Sequence, residues 1–380
     1  MTGPGGHRTY LDWNASAPLR PEARDAMLRA MDEVGNPSSV HGEGRKAKAI
    51  VERARAQVAD LLGCEPSEVI FTSGATEAAS LAIHSEYDVI YFSEAEHDCV
   101  YESALGVGHS VFAYPRAGGL HEEDEFAYRS DEFDLNEGLF AVAAANGETG
   151  VCEDYRKIAR IAGEAGAEYL CDVVQLLGKA PFNFASSGID CGIASGHKLG
   201  GPKGVGALIN KSGREVFGGL QGGGQEQSRR AGTENTIGIA GFGAAAEAAK
   251  RDLESGVWTC VEELRNILET TLEDAASDLL IIGEGAPRLP NTSCFAIPGW
   301  KGETQVMQMD LAGFAVSAGS ACSSGKVNKA SRVLLAMGFD EDTASSAIRV
   351  SMGPTTTEAE VLAFAETWTS AYRRWRQKAA

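Results

Sequence analysis

A lysine in a glycine-rich stretch has the clearest potential for covalent chemistry in this sequence. The stretch reads Ser195-Gly196-His197-Lys198-Leu199-Gly200-Gly201-Pro202-Lys203-Gly204 and follows a run that predicts a β-strand. Its residues are too small to cover Lys198, and a lysine amine becomes nucleophilic when burial or nearby cations such as His197 and Lys203 lower its pKa. Lys198 could therefore form a Schiff base with an aldehyde. The alternatives are an exposed loop lysine and a lysine that binds phosphate.

Two further motifs follow predicted strands and suit the two ends of a bound cofactor. Thr72-Ser73-Gly74-Ala75-Thr76-Glu77 opens a helix, where N–H groups and hydroxyls could hold a phosphate. Its simpler interpretation is a turn capped by threonine. Asp172, in Leu170-Cys171-Asp172-Val173-Val174-Gln175, follows a predicted buried strand, where a carboxylate needs a cationic or donor partner to stay ionised. Gln175 could lie on the same side, and Asp172 could instead cap a helix.

A cysteine lies in a segment of small residues near the C-terminal end. Phe314-Ala315-Val316 predicts a strand, and the residues from Ser317 to Gly325 are only Ser, Ala, Gly and Cys322. A thiol among so few anchoring side chains is expected to be accessible and mobile, which suits a nucleophile better than a core residue. The alternative is a flexible turn with a bystander cysteine.

Three features together match a cofactor with a phosphate, an aldehyde and a basic ring nitrogen. They are the turn at Ser73 for the phosphate, Lys198 for the aldehyde and Asp172 for the nitrogen. Pyridoxal 5′-phosphate has all three groups. Gly241-Phe242-Gly243-Ala244-Ala245-Ala246 formally fits a dinucleotide-binding pattern, but no predicted strand leads into it, so the structural context of that motif is missing. The sequence therefore predicts pyridoxal 5′-phosphate as the cofactor.

Composition and charge limit the classes of function. The chain has 380 residues and 43% hydrophobic residues, which is typical of a globular protein with two domains or one large α/β unit. Its net charge of -19 opposes binding to nucleic acid or anionic membranes, and no apolar stretch nears the ~18 residues of a membrane helix. The eight cysteines include no C-x-x-C pair, so a metal site is not expected. We expect a cytoplasmic protein that acts on a small molecule or a protein.

The elements that must position these residues alternate between strands and helices. This alternation predicts an α/β fold with a mainly parallel sheet sandwiched by helices. Apolar residues at helical spacing and short β-like runs define the elements. The predicted helices cover 21–33, 43–62, 75–84, 154–165 and 358–376, and the predicted strands cover 69–72, 89–92, 139–144 and 168–171, with two more near Ser293 and Ile348.

A long alanine-rich helical pattern marks the predicted domain boundary. It runs from 236 to about 276, and the boundary is expected inside it. The predicted large domain holds the cofactor and covers 13–257. A second, smaller α+β domain, made of 1–12 and 258–380, carries the Cys322 segment.

Short motifs along nearly the whole chain carry a resemblance to one family. They are Tyr10-Leu11-Asp12-Trp13-Asn14-Ala15, Gly35-Asn36-Pro37-Ser38-Ser39, the turn from Thr72 to Glu77, Glu96-His97, Asp172-x-x-Gln175, Ser195-Gly196-His197-Lys198, Arg230-Ala231-Gly232-Thr233, Gly319-Ser320-Ala321-Cys322-Ser323-Ser324-Gly325 and Ile348-Arg349-Val350-Ser351. With these motifs the sequence resembles the cysteine desulfurases of the NifS/IscS type, within the class V aminotransferases of fold-type I. The lysine motif and the cysteine segment, in that order, are the most specific parts.

The resemblance implies a role for each residue of the cofactor site. Lys198 would bind the aldehyde, Asp172 would pair with the ring nitrogen, and Gln175 would meet the ring hydroxyl. His97 would stack on the ring and could shuttle protons. The residues implied at the phosphate are Ala75, Thr76, Ser195 and His197, with Thr233 reaching across from the second subunit of a homodimer.

The implied reaction converts L-cysteine to L-alanine. Arg349 would bind the substrate carboxylate, with Asn14 and Asn146 also at the substrate. Lys198 would remove the α-proton, and the Cys322 thiolate would take the sulfur as a persulfide for an acceptor or Fe–S scaffold protein. The competing interpretations are a pyridoxal-phosphate aminotransferase or selenocysteine lyase in which Cys322 is incidental, and a non-catalytic scaffold of the same fold.

One position departs from the family pattern. The family has two asparagines before the glutamate of the motif that reads Asn146-Gly147-Glu148-Thr149-Gly150 here, so Gly147 replaces the asparagine expected beside the ring hydroxyl. This replacement removes one hydrogen-bond donor. Gln175 or a water would have to take its place.

Overall fold

The computed structural model describes residues 8–85, 87–107, 110–113, 120, 138–211, 213, 222–319 and 330–379. Its helices are α1 (Pro21–Met31), α2 (Gly42–Leu62), α3 (Ala75–Ile83), α4 (Asp98–Leu105), α5 (Tyr155–Glu164), α6 (Thr236–Ser255), α7 (Val257–Ala275), α8 (Gly302–Leu311), α9 (Arg332–Ala336), α10 (Glu341–Ser346) and α11 (Glu358–Ala379). Its strands are β1 (Thr9–Tyr10), β2 (Val69–Thr72), β3 (Val89–Ser93), β4 (Ser110–Ala113), β5 (Gly138–Ala141), β6 (Glu168–Asp172), β7 (Cys191–Ser195), β8 (Gly206–Asn210), β9 (Leu280–Ile281), β10 (Thr292–Ala296), β11 (Phe314–Ala315), β12 (Ser317–Ala318) and β13 (Ala347–Ser351).

A seven-stranded sheet forms the centre of the fold, in the order β2-β8-β7-β6-β5-β3-β4. Only β8 runs antiparallel to its neighbours β2 and β7, and the other pairs are parallel. The predicted α/β fold with a mainly parallel sheet is therefore confirmed. Since β8 is antiparallel to both β2 and β7, these two strands run in the same direction. The carboxyl ends of β2, β3, β5, β6 and β7 therefore share one edge of the sheet.

Helices cover both faces of this sheet, and side chains alternate between two cores. Val69 and Phe71 of β2 pack in one core with residues of α2, α5 and α6, whereas Ile70 packs in the other with residues of α3 and α4. All residues of β2, β3, β5 and β7 are buried. Strands buried on both faces read as continuous apolar runs, which is why these strands could be recognised in the sequence.

Two smaller sheets lie outside the central one. An antiparallel sheet has the order β12-β13-β10-β9, and β1 pairs in parallel with β11. Their core contains Phe295 and Trp300 packed against α7 and α11. The rings of Trp368 and Phe295 are edge-to-face, with 5.5 Å between the ring centroids. The predicted division into two domains stays a prediction.

The prediction of one long helix over 236–276 is wrong in one respect, because the structure has two helices there. Gly256 separates α6 from α7 with a φ of 74°, a left-handed value that glycine adopts without steric penalty. Gly243 lies inside α6, where a Cβ would be 2.6 Å from the Ala54 Cα. The glycines of this segment therefore serve helix packing, in agreement with the rejection of the dinucleotide motif. None of the described helices is long and apolar enough to cross a bilayer.

Candidate active site

A cavity of about 550 Å³ opens at the carboxyl edge of the central sheet. This edge is where open α/β sheets bind ligands, because loops and helix N-termini converge there. Most of the residues singled out in the sequence line it. They are Ala75, Thr76, His97, Asn146, Asp172, Gln175, Ser195, His197 and Lys198.

The N-terminus of α3 forms one end of the cavity. Ser73, Gly74, Ala75 and Thr76 line it, and the first amides of a helix have no carbonyl partner within the helix. The Glu77 carboxylate accepts from the Ser73 N–H at 2.7 Å and from Arg230 Nε at 2.8 Å. Burial opposes ionisation of Glu77, but these bonds hold its pKa below the usual value. This ion pair fixes the turn and leaves the amides of Ala75 and Thr76 at the cavity.

Asp172, the last residue of β6, lines the cavity at a strand end three positions from β2 in the sheet order. It is 8% exposed, and its Oδ1 accepts from the Val174 N–H at 2.8 Å. No helix follows, so the alternative of a helix cap is excluded. Burial raises the pKa of Asp172, and the Val174 N–H, His97 and Lys198 act in the opposite direction. A cationic ring nitrogen bound at this end would supply the partner that stabilises the carboxylate.

His97 lies at the N-terminus of α4 and lines the cavity. Its Nδ1 accepts from the Cys99 N–H at 3.2 Å, and the Cys99 Sγ is 3.1 Å from the same nitrogen. Because Nδ1 accepts the Cys99 N–H bond, the ring proton of neutral His97 resides on Nε2. The neighbouring sequence therefore sets the tautomer of His97.

Lys198 ends a short 3₁₀ turn, Gly196–Lys198, that directly follows β7. Its Nζ donates to the main-chain oxygens of Asn14 at 2.5 Å and Ala15 at 3.0 Å. The lysine therefore lies against the N-terminal segment and is not an exposed loop residue. His197, beside it, has a pKa lowered to about 4 by burial first and then by Lys198 and Lys203. His197 is consequently neutral and can donate or accept a hydrogen bond in the cavity.

Gln175 and Asn14 meet through a lysine that the sequence analysis did not single out. Lys179 Nζ donates to Gln175 Oε1 at 2.7 Å and to Asn14 Oδ1 at 2.9 Å. Its sequence signal is a lone charged residue after an apolar turn, Val173-Val174-Gln175-Leu176-Leu177-Gly178. Gly147 lies next to this group, since a Cβ there would be 3.0 Å from Gln175 Nε2.

Arg349, in β13, does not line the cavity but reaches its rim. Its Nη1 donates to the Gly147 carbonyl at 2.9 Å and its Nη2 donates to Asp12 Oδ1 at 2.7 Å. The residue is 7% exposed, and its Nε has no partner among the described residues. Asp12, also missed in the sequence analysis, holds Arg349 in place and accepts from Ser317 Oγ at 2.8 Å.

Two predicted residues are placed differently from the rest, and a third has no described position. The side chain of Asn146 is engaged in local structure, because its Oδ1 accepts from the Glu148 and Thr149 N–H groups and its Nδ2 donates to Ala95. Thr233 lines a separate cavity of about 230 Å³ with Ser73 and Gly204. Cys322 lies outside the described residues.

The donor set fits pyridoxal 5′-phosphate. Helix amides and hydroxyls at the α3 end suit a phosphate, and the buried carboxylate of Asp172 suits a protonated ring nitrogen. The amine of Lys198 belongs to the same cavity, where it can reach an aldehyde. These three groups come from separate strand ends of one sheet edge.

The chain is similar to known proteins over most of its length. The family model described as aminotransferase class-V matches residues 9–364 of this chain. A cysteine desulfurase from Cereibacter sphaeroides is 40% identical over 368 residues, which cover 93% of this chain and 93% of that protein. Cysteine desulfurase IscS from Dictyoglomus turgidum is 35% identical over 366 residues, which cover 93% of this chain and 91% of that protein.

Solved structures extend the similarity to the fold. The X-ray structure of a NifS-like protein from Rickettsia africae has a TM-score of 0.90 and 32% identity, covering 97% of this chain and 100% of that one. A structure of SspA in complex with cysteine has a TM-score of 0.76 and 27% identity, covering 92% of this chain and 100% of that one. The central sheet and the smaller sheets are both part of these matches.

Proposed function

This chain belongs to the aminotransferase class-V family and to its cysteine desulfurases, and we propose that it converts L-cysteine to L-alanine and transfers the sulfur to Cys322. Its cofactor is pyridoxal 5′-phosphate. The observation that carries the proposal is that Lys198, Asp172 and the N-terminus of α3 line one cavity. A family match alone would leave the chemistry of the site open, whereas this donor set is specific for the three groups of the cofactor.

The residues of the cavity would hold the cofactor and substrate in fixed positions. When bound, pyridoxal phosphate supplies the electron sink that lets the Cα–H and C–S bonds of cysteine break. Asp172 keeps the ring nitrogen protonated, because a buried carboxylate favours a cation beside it. The Arg349 guanidinium binds the substrate carboxylate in a bidentate manner in exchange for Asp12. Lys198 Nζ then takes the α-proton.

The sulfur step uses Cys322. Its thiolate attacks the sulfur of cysteine, an S–S bond forms, and the C–S bond breaks with its electron pair moving to carbon. The carbon takes up a proton, so the products are alanine and a persulfide on Cys322. No external oxidant is needed, because the carbon that keeps the electron pair of the C–S bond is reduced as the two sulfurs are oxidised to the persulfide. The persulfide would pass to an acceptor or to an Fe–S scaffold protein.

Cys322→Ser tests this route. The variant is expected to lose alanine formation and persulfide labelling, while the visible absorbance of the cofactor stays. The control is Cys260→Ser, which changes an exposed cysteine on α7 and should retain both activities. Alanine formation undiminished in Cys322→Ser would instead favour an aminotransferase or a selenocysteine lyase. A purified protein without visible absorbance would favour the non-catalytic scaffold.

We also propose that the enzyme is a cytoplasmic homodimer with two domains, 13–257 and 1–12 with 258–380. The separate cores of the central and smaller sheets support this division, and Leu253 contacts both. Thr233 lines the neighbouring cavity of about 230 Å³ and does not line the cofactor cavity of its own chain, as suits a residue that serves a partner subunit. Light scattering should give twice the mass of the 40.0 kDa chain. A fully active monomer would contradict the dimer.

A further inference from the structure

Lys179 is a buried lysine to which the proposed reaction assigns no task. It follows the turn after β6 and is 5% exposed. Its two hydrogen-bond acceptors are both neutral amides, Gln175 Oε1 at 2.7 Å and Asn14 Oδ1 at 2.9 Å. Burial, followed by Lys198 and Arg349, lowers the pKa of Lys179 well below its usual value, while Cys152 acts weakly in the opposite direction. A lysine kept in such a place without a carboxylate partner calls for a reason.

The lysine determines which way two amide groups face. A lysine that gives its N–H groups to these two amides requires their oxygens to point toward it. The nitrogen of each amide must then point away from Lys179. Asn14 Nδ2 accordingly donates to Gly147 O and Thr292 Oγ1, and Asn14 Oδ1 also accepts from Asn291. The amide of Asn14 is therefore fully paired.

The amide of Gln175 keeps one N–H hydrogen without an acceptor among the described residues, although its Oε1 is paired with Lys179. Its Nε2 donates one hydrogen to the Asn14 carbonyl at 3.1 Å, and the second hydrogen has no acceptor among the described residues. Gln175 lines the cofactor cavity, next to Gly147. A Cβ at position 147 would be 3.0 Å from this Nε2 and 3.3 Å from Gln175 Cγ, so the glycine leaves the space that the amide occupies.

We propose that Lys179 is a positioning residue, which orients the Gln175 amide so that an Nε2–H faces the ring hydroxyl of the cofactor and replaces the donor missing at Gly147. Without Lys179, only the bond from Gln175 Nε2 to the Asn14 carbonyl opposes a 180° rotation of the amide, which would present Oε1 to the ring oxygen and repel it. Asn14 strengthens the arrangement, because its carbonyl accepts from both Gln175 Nε2 and Lys198 Nζ. The inference rests on the proposed cofactor site and is independent of the sulfur step at Cys322.

The test is a pH titration of the visible absorbance of cofactor-loaded enzyme, without cysteine. The ring oxygen carries a full negative charge once the loaded site has lost its proton. An N–H donor stabilises this charge and therefore lowers the pH at which the proton is lost. Lys179→Met is therefore expected to move the titration midpoint upward by about one pH unit, which is a tenfold change in the proton equilibrium. The rate of cofactor release from the loaded enzyme should rise by roughly the same factor. Lys48→Met, which removes an exposed lysine of α2, should change neither quantity.

A double-mutant cycle with Gln175→Ala distinguishes orientation from a general loss of structure. If Lys179 acts through Gln175, Lys179→Met has no further effect on the midpoint when Gln175 is already alanine. An equal shift in both backgrounds would overturn the proposal, as would an unchanged midpoint in the wild-type background.

Gln175→Glu provides a second variant in case Lys179→Met does not fold. It keeps Lys179, gives it a carboxylate partner and removes both N–H donors of the amide. The same upward shift of the midpoint is expected, and a midpoint that stays in place would show that no donor from Gln175 reaches the ring. Because cysteine is absent from these titrations, a failure here leaves the desulfurase proposal untouched, and a failure of Cys322→Ser leaves this one untouched.

Discussion

The two regions that meet at the cavity are built in different ways. The cofactor region, made of Asp172, Ser195 and Lys198, lies at neighbouring strand ends of one sheet, so backbone ladders fix its geometry. The proposed carboxylate-binding region depends on Arg349, which comes from a different sheet and is held by Asp12 and the Gly147 carbonyl. The first region is preorganised, whereas the second must exchange a protein carboxylate for that of the substrate.

This difference separates cofactor chemistry from substrate binding. Groups fixed by a sheet need no rearrangement when the reaction develops charge, which is how preorganised sites lower activation barriers. An arginine that is already paired discriminates among ligands, because only a second carboxylate can replace Asp12 without leaving a buried guanidinium unpaired. We therefore expect changes in the cofactor region to alter the rate constant and the spectrum, and changes in the arginine region to alter the KM.

The largest effect is expected for Asp172→Asn. The neutral amide cannot stabilise a protonated ring nitrogen, so kcat should fall by about 100- to 10,000-fold and the visible spectrum should change. Steady-state alanine formation measures the loss. Asp190→Asn is the control, since Asp190 accepts from the Tyr169 N–H and lies outside the cavity. A variant with normal kcat would show that the strand-end carboxylate has no part in the chemistry.

A smaller and different effect is expected for Arg349→Gln. Loss of the charged, bidentate donor should raise the KM for cysteine by roughly 10- to 100-fold and leave the visible spectrum unchanged. Arg288→Gln, which removes another arginine paired with a carboxylate in the same part of the chain, should leave the KM unchanged. If Arg349→Gln changed the spectrum as strongly as Asp172→Asn, the two regions would not be separable.

The smallest effect concerns His197, in the cofactor region. Its folded pKa is lowered from 6.5 to about 4 by burial first, so below pH 6.5 the unfolded chain binds a proton that the folded chain does not. Stability of the cofactor-free protein should therefore fall as the pH decreases from 6.5 to 4. His197→Asn should weaken this dependence, with a difference in Tm of about 2–4 °C. An identical dependence of Tm on pH in the wild type and in His197→Asn would exclude His197 as a source of this pH dependence.

Much of the cofactor region could be predicted from local sequence. Val69–Thr72 has the predicted bounds, and Glu168–Asp172 differs from the prediction by one residue. Residues that directly follow such strands must meet at one edge, because parallel strands share their carboxyl ends. The break at Gly256 and the strands β4 and β8 were missed. β8 in particular is a short apolar run behind a glycine-rich stretch, without the flanking helices that marked the others.

The sequence by itself determined the chemical groups of this protein: a lysine, an aspartate and a helix N-terminus placed after three strands of one sheet, and a cysteine in a segment of small residues whose structure lies outside the described residues. Only the tertiary structure decided that Lys179 holds Gln175 and Asn14, and that Asp12 holds Arg349. Lys179 and Asn14 are separated by 165 positions in the chain, and Arg349 and Asp12 by 337 positions. Secondary-structure periodicity acts over a few residues, so contacts at such separations are defined by the packing of the whole fold.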